Sequence, residues 1–323
     1  MLSLMATKNF KSIDDQINLL KSRNLLFGNE DLAKEILRKY NYFDIINGTE
    51  DILLSNRNPK TYDNVFFEDF YKIYQFDFKL KSLTLAKILE IEARLRTSIS
   101  YNFSKTFCST SADLLRYTDR TCYQYPQNTS HALQQVFNQF ELFRQTRVVN
   151  GQCQLGFIDK KRSEKNYIHA YRRPPFWVII KDFNFGTLYY TYCFQKSNVK
   201  KDILGDFSLT LQNDKAFEQA LLILKEARNN CAHIELISRF KISCKSKPDV
   251  NYYNDIKNML CVHTRNIEYI HLLKILSFFC DIEEIKHFIH SFYLDMYLNR
   301  RLEIVGKVLK RMGEENIDEW MSL

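Results

Sequence analysis

Residues 64–107 read NVFFEDFYKIYQFDFKLKSLTLAKILEIEARLRTSISYNFSKTF. Phe66, Phe70, Ile73, Leu80, Ile88, Ile91, Leu95 and Ile99 recur at spacings that keep them on one side of a helix, and no Gly or Pro interrupts them. The stretch predicts one helix of about ten turns, or two helices with a bend. The rest of the chain agrees. Only 8 Gly and 5 Pro occur in 323 residues, too few for the many turns of a sandwich, a barrel or a Rossmann sheet. An all-α fold follows.

Working outward, Ser12 opens a helix to about Asn24, with Asp14 and Asp15 in its first turn. A second helix covers about Asn29 to Tyr40. Residues 41–62 read as a loop, marked by Asn47-Gly48 and Asn58-Pro59. Residues 108–135 are polar and irregular, and read as an insertion or a mobile connection. Helices are expected over about 131–145, 176–183, 213–240, 265–280, 282–300 and 301–312. Phe185-Gly186-Thr187-Leu188 reads as a turn. No repeat and no low-complexity run is present, so residues 1–11 form a tail and 12–323 a single helical domain.

Composition narrows the function classes. Hydrophobic residues make up 45% and charged residues 26%, which excludes collagen-like and disordered chains. With 25 Phe and 19 Tyr against 2 Trp, the core is expected to be built of phenyl rings. The net charge of +8 suits a polyanionic partner without proving one. Eight cysteines contain no C-x-x-C pair, so free cytosolic thiols are expected and a zinc site is not. No run of about 18 apolar residues and no signal peptide is visible, so a cytoplasmic protein with no membrane contact is expected.

The chemistry-bearing motif is Arg228-Asn229-Asn230-Cys231-Ala232-His233. An Arg followed by a His after four to six residues, on a helix, resembles the signature of the HEPN ribonuclease superfamily. Cleaving RNA through its own 2′-hydroxyl needs a proton shuttle near neutral pH, which imidazole supplies. It also needs a fixed cation for the charge developing on the phosphate, which guanidinium supplies. No metal and no cofactor is required. Within a continuous helix Asn229 and His233 share a face, while Arg228 lies about 140° round from His233. With 18 Arg and 7 His, about one such match arises by chance. Three pairs fit: Arg228/His233, Arg265/His271 and Arg162/His169.

The flanking sequence separates them. SIDDQINLLKSRNLL (12–26), the Asn41-Tyr42-Phe43 and Ile46-Asn47-Gly48 pair, IEARLRTSI (91–99), PFWVIIKDFNFGTL (175–188) with EARNNCAH (226–233), and residues 313–320 ending in Trp320 together resemble the Abi-like family. These are the abortive-infection proteins of the AbiD/AbiF type, within the HEPN superfamily. The resemblance spans about residues 12–320 and rests chiefly on the pairing of the last two long blocks. It implies a HEPN-type helical bundle core with additional N- and C-terminal helices, the motif helix lying at about 213–240. It implies Arg228 as charge stabiliser, His233 as proton shuttle and Asn229 as the orienting polar residue. It implies an antiphage endoribonuclease of toxin type, active as a homodimer or higher homo-oligomer and restrained by a small noncoding RNA. Residues 108–130 match nothing in that pattern.

Other basic groups carry two readings. Lys160, Lys161, Arg162, Lys165, Arg172 and Arg173, interleaved with Tyr167 and Tyr171, read either as an RNA-backbone groove with stacking rings or as a solvated loop. Arg94 and Arg96 are expected to pair with Glu90 and Glu92 along the helix, the other reading being that one of them is a second phosphate contact near the cleft. Cys231 reads as a small packing residue, not a nucleophile. The alternative for the whole chain is a non-catalytic RNA-binding or helical interaction protein.

Overall fold

A computed structural model describes residues 9–127, 129–233, 235–243, 253–262 and 265–323. Its organising element is α4, a single helix over Phe67–Phe107. Forty-one residues at 1.5 Å each give a rod of about 60 Å. Seven of the eight positions that repeat in the sequence are buried, Phe70, Ile73, Leu80, Ile88, Ile91, Leu95 and Ile99, while Phe66 is half-buried and stands outside the helix as its N-cap.

Ahead of it stand α1 (Ile13–Lys21), α2 (Glu30–Lys39) and α3 (Gly48–Leu53). Ser12 and Asp15 exchange hydrogen bonds at the start of α1, and Asn29 Oδ1 accepts from Leu32 N at the start of α2. Behind it come α5 (His131–Asn138), α6 (Phe157–Glu164), α7 (Asn166–His169), α8 (Phe176–Ile179), α9 (Phe185–Cys193) and α10 (Ser197–Asp206). They are followed by α11 (Asp214–Ala232), α12 (Asn254–Met259), α13 (Tyr269–Ser277), α14 (Glu283–Leu298), α15 (Leu302–Arg311) and α16 (Ile317–Met321). Three short two-stranded antiparallel sheets are the sheet structure among the described residues: β1 with β2 (56–57, 60–61), β3 with β4 (147–149, 152–154) and β5 with β6 (241–243, 266–268). The all-α expectation holds. Among the described residues no helix is long and apolar enough to cross a membrane.

α4 packs against α3, α8, α9, α10, α11 and α14. α11 in turn packs on α9, α12 and α13, and α15 lies on α3 and α14. The core is aromatic, as the composition implied: Phe67, Phe70, Phe103, Phe176, Phe194 and Phe217 are fully buried. Phe103 meets Phe107, Tyr123 and Phe176 with centroids about 5 Å apart. Trp320 is also fully buried, its indole N–H donating to Glu314 O.

Several expectations are corrected. Residues 41–62 are not a plain loop, because a π-helical turn at 43–47 runs into α3. Gly48 sits there so closely against Leu236 that an added Cβ would lie 2.9 Å from its Cδ1. Phe185–Leu188 is not a turn but the first turn of α9, capped by Asn184 Oδ1, which accepts from Thr187 N. Residues 157–164 and 166–169 are helical, broken at Lys165, and the helix expected to 145 ends at Asn138. Residues 265–268 enter a strand before α13 begins. The 108–127 segment is irregular but packed. Tyr117 and Tyr123 are buried, Tyr117 donates to Pro174 O at 2.7 Å, and its ring stacks on Phe176. Arg96 does pair with Glu92 at 2.6 Å. Arg94 does not pair with Glu90. It donates to the carbonyls of Asp206 and Phe279 and lies over the Phe207 ring.

Candidate active site at the end of the motif helix

The inward face of α11 carries Ala220, Leu224, Ala227 and Cys231, all buried. The helical period then turns Arg228 and Asn229 outward, half-buried and exposed respectively. The helix expected to reach residue 240 stops at Ala232. His233 is its C-cap, with φ −98° and ψ 176°. Its N–H still donates to Asn229 O at 3.1 Å, the last helical bond. Past that point the helical phase no longer fixes the imidazole, and the 140° separation from Arg228 does not apply.

Tertiary contacts place the cap instead. Lys81 of α4 reaches the carbonyls of His233 and Glu235 at 3.5 Å. Asp77, one turn earlier, accepts from Ile237 N at 3.0 Å and Ser238 N at 2.8 Å. Burial pushes the Asp77 carboxyl up, while the bonds from Ser238 and Ile237 hold it down; burial prevails. Arg311 of α15 donates to Ser238 Oγ at 2.7 Å and, with Arg239, grips Asp51. Asn230 Nδ2 donates to Glu235 Oε2 at 2.7 Å. The loop after His233 is thus tied to α3, α4, α11 and α15.

Two cavities flank this cap. One, about 850 Å³, lies between α4, the π-helical turn and the loop, and is lined by Phe43, Tyr74, Phe78, Lys81, His233 and Arg239 among others. The other, about 540 Å³, opens towards β5 and is lined by Asn229, Asn230, His233, Lys241 and Tyr253 among others. His233 is exposed on the wall between them. Asn229 shares the smaller cavity with it. Arg228 lines neither, and makes no hydrogen bond or ion pair to the described residues. One chain therefore brings together His233 and Asn229, with Lys81 and Arg239 as nearby cations, and leaves Arg228 outside. Burial pushes the Cys231 thiol up to about 12, which suits packing rather than nucleophilic attack. Among the described residues no group of three His, Cys, Asp or Glu is placed to hold a metal ion.

The other sequence candidates fall elsewhere. His271 is buried, and its Nδ1 accepts from Glu268 N at 3.0 Å at the start of α13. His169 closes α7, remote in sequence from α11. In the basic segment Lys160 pairs with Glu141 at 2.8 Å, Lys161 with Asp182 and Glu164, and Lys165 with Asp182 at 3.1 Å. Arg162 is half-buried, with Nε lacking a partner. Arg173 reaches Ser111 O at 3.4 Å, and Arg172 is exposed. Much of the segment's charge is therefore internally neutralised. Sequence reasoning missed Asp77, Lys81 and Arg239. An Asp followed four residues later by a Lys, within an otherwise apolar helix pattern, was the available signal, since buried carboxylates are rare without partners.

Neither the curated proteins nor the solved structures hold a significant match to this sequence. A family profile described as Abi-like protein matches residues 35–237. The matched region runs from α2 to the loop beyond His233, taking in α4, all of α11 and both residues of the Arg228/His233 pair. On that match, over more than half of its length, the chain belongs to the Abi-like protein family.

Proposed function

We propose that this member of the Abi-like family, tied by that membership to abortive infection, a form of phage defence, is a HEPN endoribonuclease that cleaves RNA through the 2′-hydroxyl without a metal. His233 takes the 2′-hydroxyl proton as the 2′-oxygen attacks phosphorus. The bond to the 5′-oxygen breaks, and that oxygen leaves with a proton returned from imidazole. The products are a 2′,3′-cyclic phosphate and a 5′-hydroxyl. Arg228 stabilises the extra charge on the phosphate, and Asn229 orients the group at the cleft. A small noncoding RNA restrains the toxin in the cytoplasm.

The observation that carries this reading is His233, exposed on a tightly anchored helix end between two cavities. Arg228 lies outside both cavities, so the pair needs a second copy. A homodimer with two α11 ends facing one cleft lets Arg228 of one copy serve His233 of the other.

The test is cleavage of RNA by wild type, Arg228→Ala and His233→Ala, with and without EDTA, alongside growth arrest on expression. Loss of Arg228 is expected to cost about 10²–10³-fold in rate, and loss of His233 about 10²–10⁴-fold. Wild-type cleavage in either variant, or loss of activity in EDTA, overturns the mechanism. The second reading, an RNA-binding protein without turnover, is favoured by Arg228 lining neither cavity within one chain. Tight RNA binding with no cleavage by wild type would select it.

A further inference from the structure

The face of α4 beside His233 carries aromatic rings at the edge of the core: Tyr74 and Tyr40 pack partly against it, while Phe78 stands out from it. Tyr74 and Phe78 stand four residues apart on one side of the helix. Their centroids are 6.5 Å apart, and Tyr40 of the preceding segment lies 5.3 Å from Tyr74. Phe78 is 58% exposed and Phe43, across the larger cavity, 65%. Tyr74 and Phe78 form a wall common to the 850 Å³ cavity and to a further cavity of about 620 Å³ between α4 and α14. The two cavities adjoin along this wall as a groove on either side of the rings, and the larger one reaches His233.

Cations are interleaved with these rings. Lys39 lies 5.2 Å from the Tyr40 centroid and Lys81 5.9 Å from that of Phe78. Lys79 is exposed on the groove wall and pairs with none of the described residues. Most acidic groups along the groove are engaged: Asp77 by the Ile237 and Ser238 N–H groups, Glu235 by Asn230, Asp295 by Lys72. Asp44 is the remaining acid on the wall. In the 160–165 segment, by contrast, the lysines are paired with carboxylates.

We propose that this groove binds single-stranded RNA, with bases stacked on Tyr74 and Phe78 and phosphates following Lys79 and Lys81 towards His233. Alternating ring faces and cations fit an unpaired strand, whose bases are free to stack and whose backbone needs positive charge. They fit a second copy of the chain less well, because interface cores are depleted in Lys. The inference rests on the nuclease reading only for what happens at His233; the binding stands separately.

The experiment measures anisotropy of a fluorescein-labelled, 2′-O-methylated single strand of about a dozen nucleotides. It lacks the nucleophile and cannot be cut. Tyr74→Leu and Phe78→Leu keep apolar bulk and remove the stacking face. Each is expected to weaken binding about 5- to 100-fold, with an unchanged far-ultraviolet dichroism spectrum. Lys79→Gln is expected to lower the log–log salt slope by about one. A duplex of equal length should bind more weakly than the strand. Wild-type affinity in both Leu variants, equal binding of duplex and strand, or no binding by wild type overturns the proposal. Leu variants that become monomeric with affinity unchanged overturn it in favour of a seam between copies. Cleavage of unmodified RNA is scored separately. A strand that stacks but is never cut removes the nuclease reading alone, and RNA that is cut with unaltered affinity in the Leu variants removes the stacking groove alone.

Discussion

Replacing Asp77 by Ala should loosen the candidate site from a position outside it. Asp77 is 1% exposed, and its two oxygens accept the N–H groups of Ile237 and Ser238 at 3.0 and 2.8 Å. Ala leaves both donors buried without an acceptor. Each orphan costs about 1–3 kcal/mol, so the loss is about 2–6 kcal/mol. Asn keeps one acceptor oxygen and turns a donor towards the other N–H, so Asp77→Asn should lose roughly half as much. At ~2.1 cal/mol/K per residue, a chain of 323 residues has an unfolding entropy of about 0.7 kcal/mol/K, which converts the Ala loss into a fall of ~3–9 °C in Tm. Lys79→Ala, exposed two residues further along the same helix, serves as control and should shift Tm by less than about 1 °C. Calorimetry gives Tm, and hydrogen exchange reads the Ile237 and Ser238 amides directly. If the loop opens locally instead of with the whole domain, exchange accelerates there while Tm moves little. Unchanged Tm together with unchanged protection of those two amides would refute the reasoning.

Three further outcomes are expected. Burial lowers the His271 pKa below its ordinary 6.5, with Glu268 opposing and Lys274 and Lys257 assisting. The unfolded chain therefore takes up the proton first, and stability falls as pH drops from about 6.5 towards the lowered value. His271→Gln keeps a side-chain acceptor for Glu268 N, so its Tm should fall less than that of wild type between about pH 7.5 and 5.5. Asp182 is held below the ordinary carboxylate range: burial opposes this, but hydrogen bonds from Lys161 and Lys165 prevail. Its stabilisation is present above the ordinary value of 3.8 and lost as pH falls below it, so Asp182→Asn should destabilise at neutral pH and flatten the acid limb of the stability curve. Arg172→Gln with Arg173→Gln should lower the salt slope of RNA binding by up to about two if that segment touches backbone. Lys160→Gln, already neutralised by Glu141, should leave affinity within about twofold; a large loss there would restore the whole segment as a groove.

The long helix was legible because its signal is local. Forty-one residues without Gly or Pro, carrying apolar side chains at helical spacing, leave no competing period. The helix start at Ser12 was legible for the same reason. What was not legible depended on distant partners. Asn47-Gly48 carries a turn signal, but Gly48 serves close contact with Leu236, 188 positions away. The end of α11 carries no Gly or Pro, so the pattern runs on to residue 240, whereas Asp77 and Lys81 draw the chain out of the helix at His233. The residue identities of the Arg228/His233 motif could be read from the chain. Their separation into different surroundings could not, because the helical wheel stops at Ala232.

That stop bears on the spacing of the proposed motif. The Arg-to-His spacing in the HEPN signature tolerates four to six intervening residues. If both residues lay in one continuous helix, each added residue would swing the His by 100°, and three such spacings would point it in three different directions. In this chain the Arg is phased by the helix and the His is not. Ala227 and Cys231 lock the phase from inside, which sends Arg228 outward. His233 then sits on extended backbone whose carbonyl is held by Lys81, and the following N–H groups are held by Asp77. An extra residue at such a junction lengthens a loop whose far end is pinned to α4, and the imidazole can keep its place at the cavity wall. Variable spacing is therefore compatible with one fixed site only when the helix ends before the His. It follows that the anchors on α4, and not the number of residues between Arg228 and His233, set where the imidazole stands.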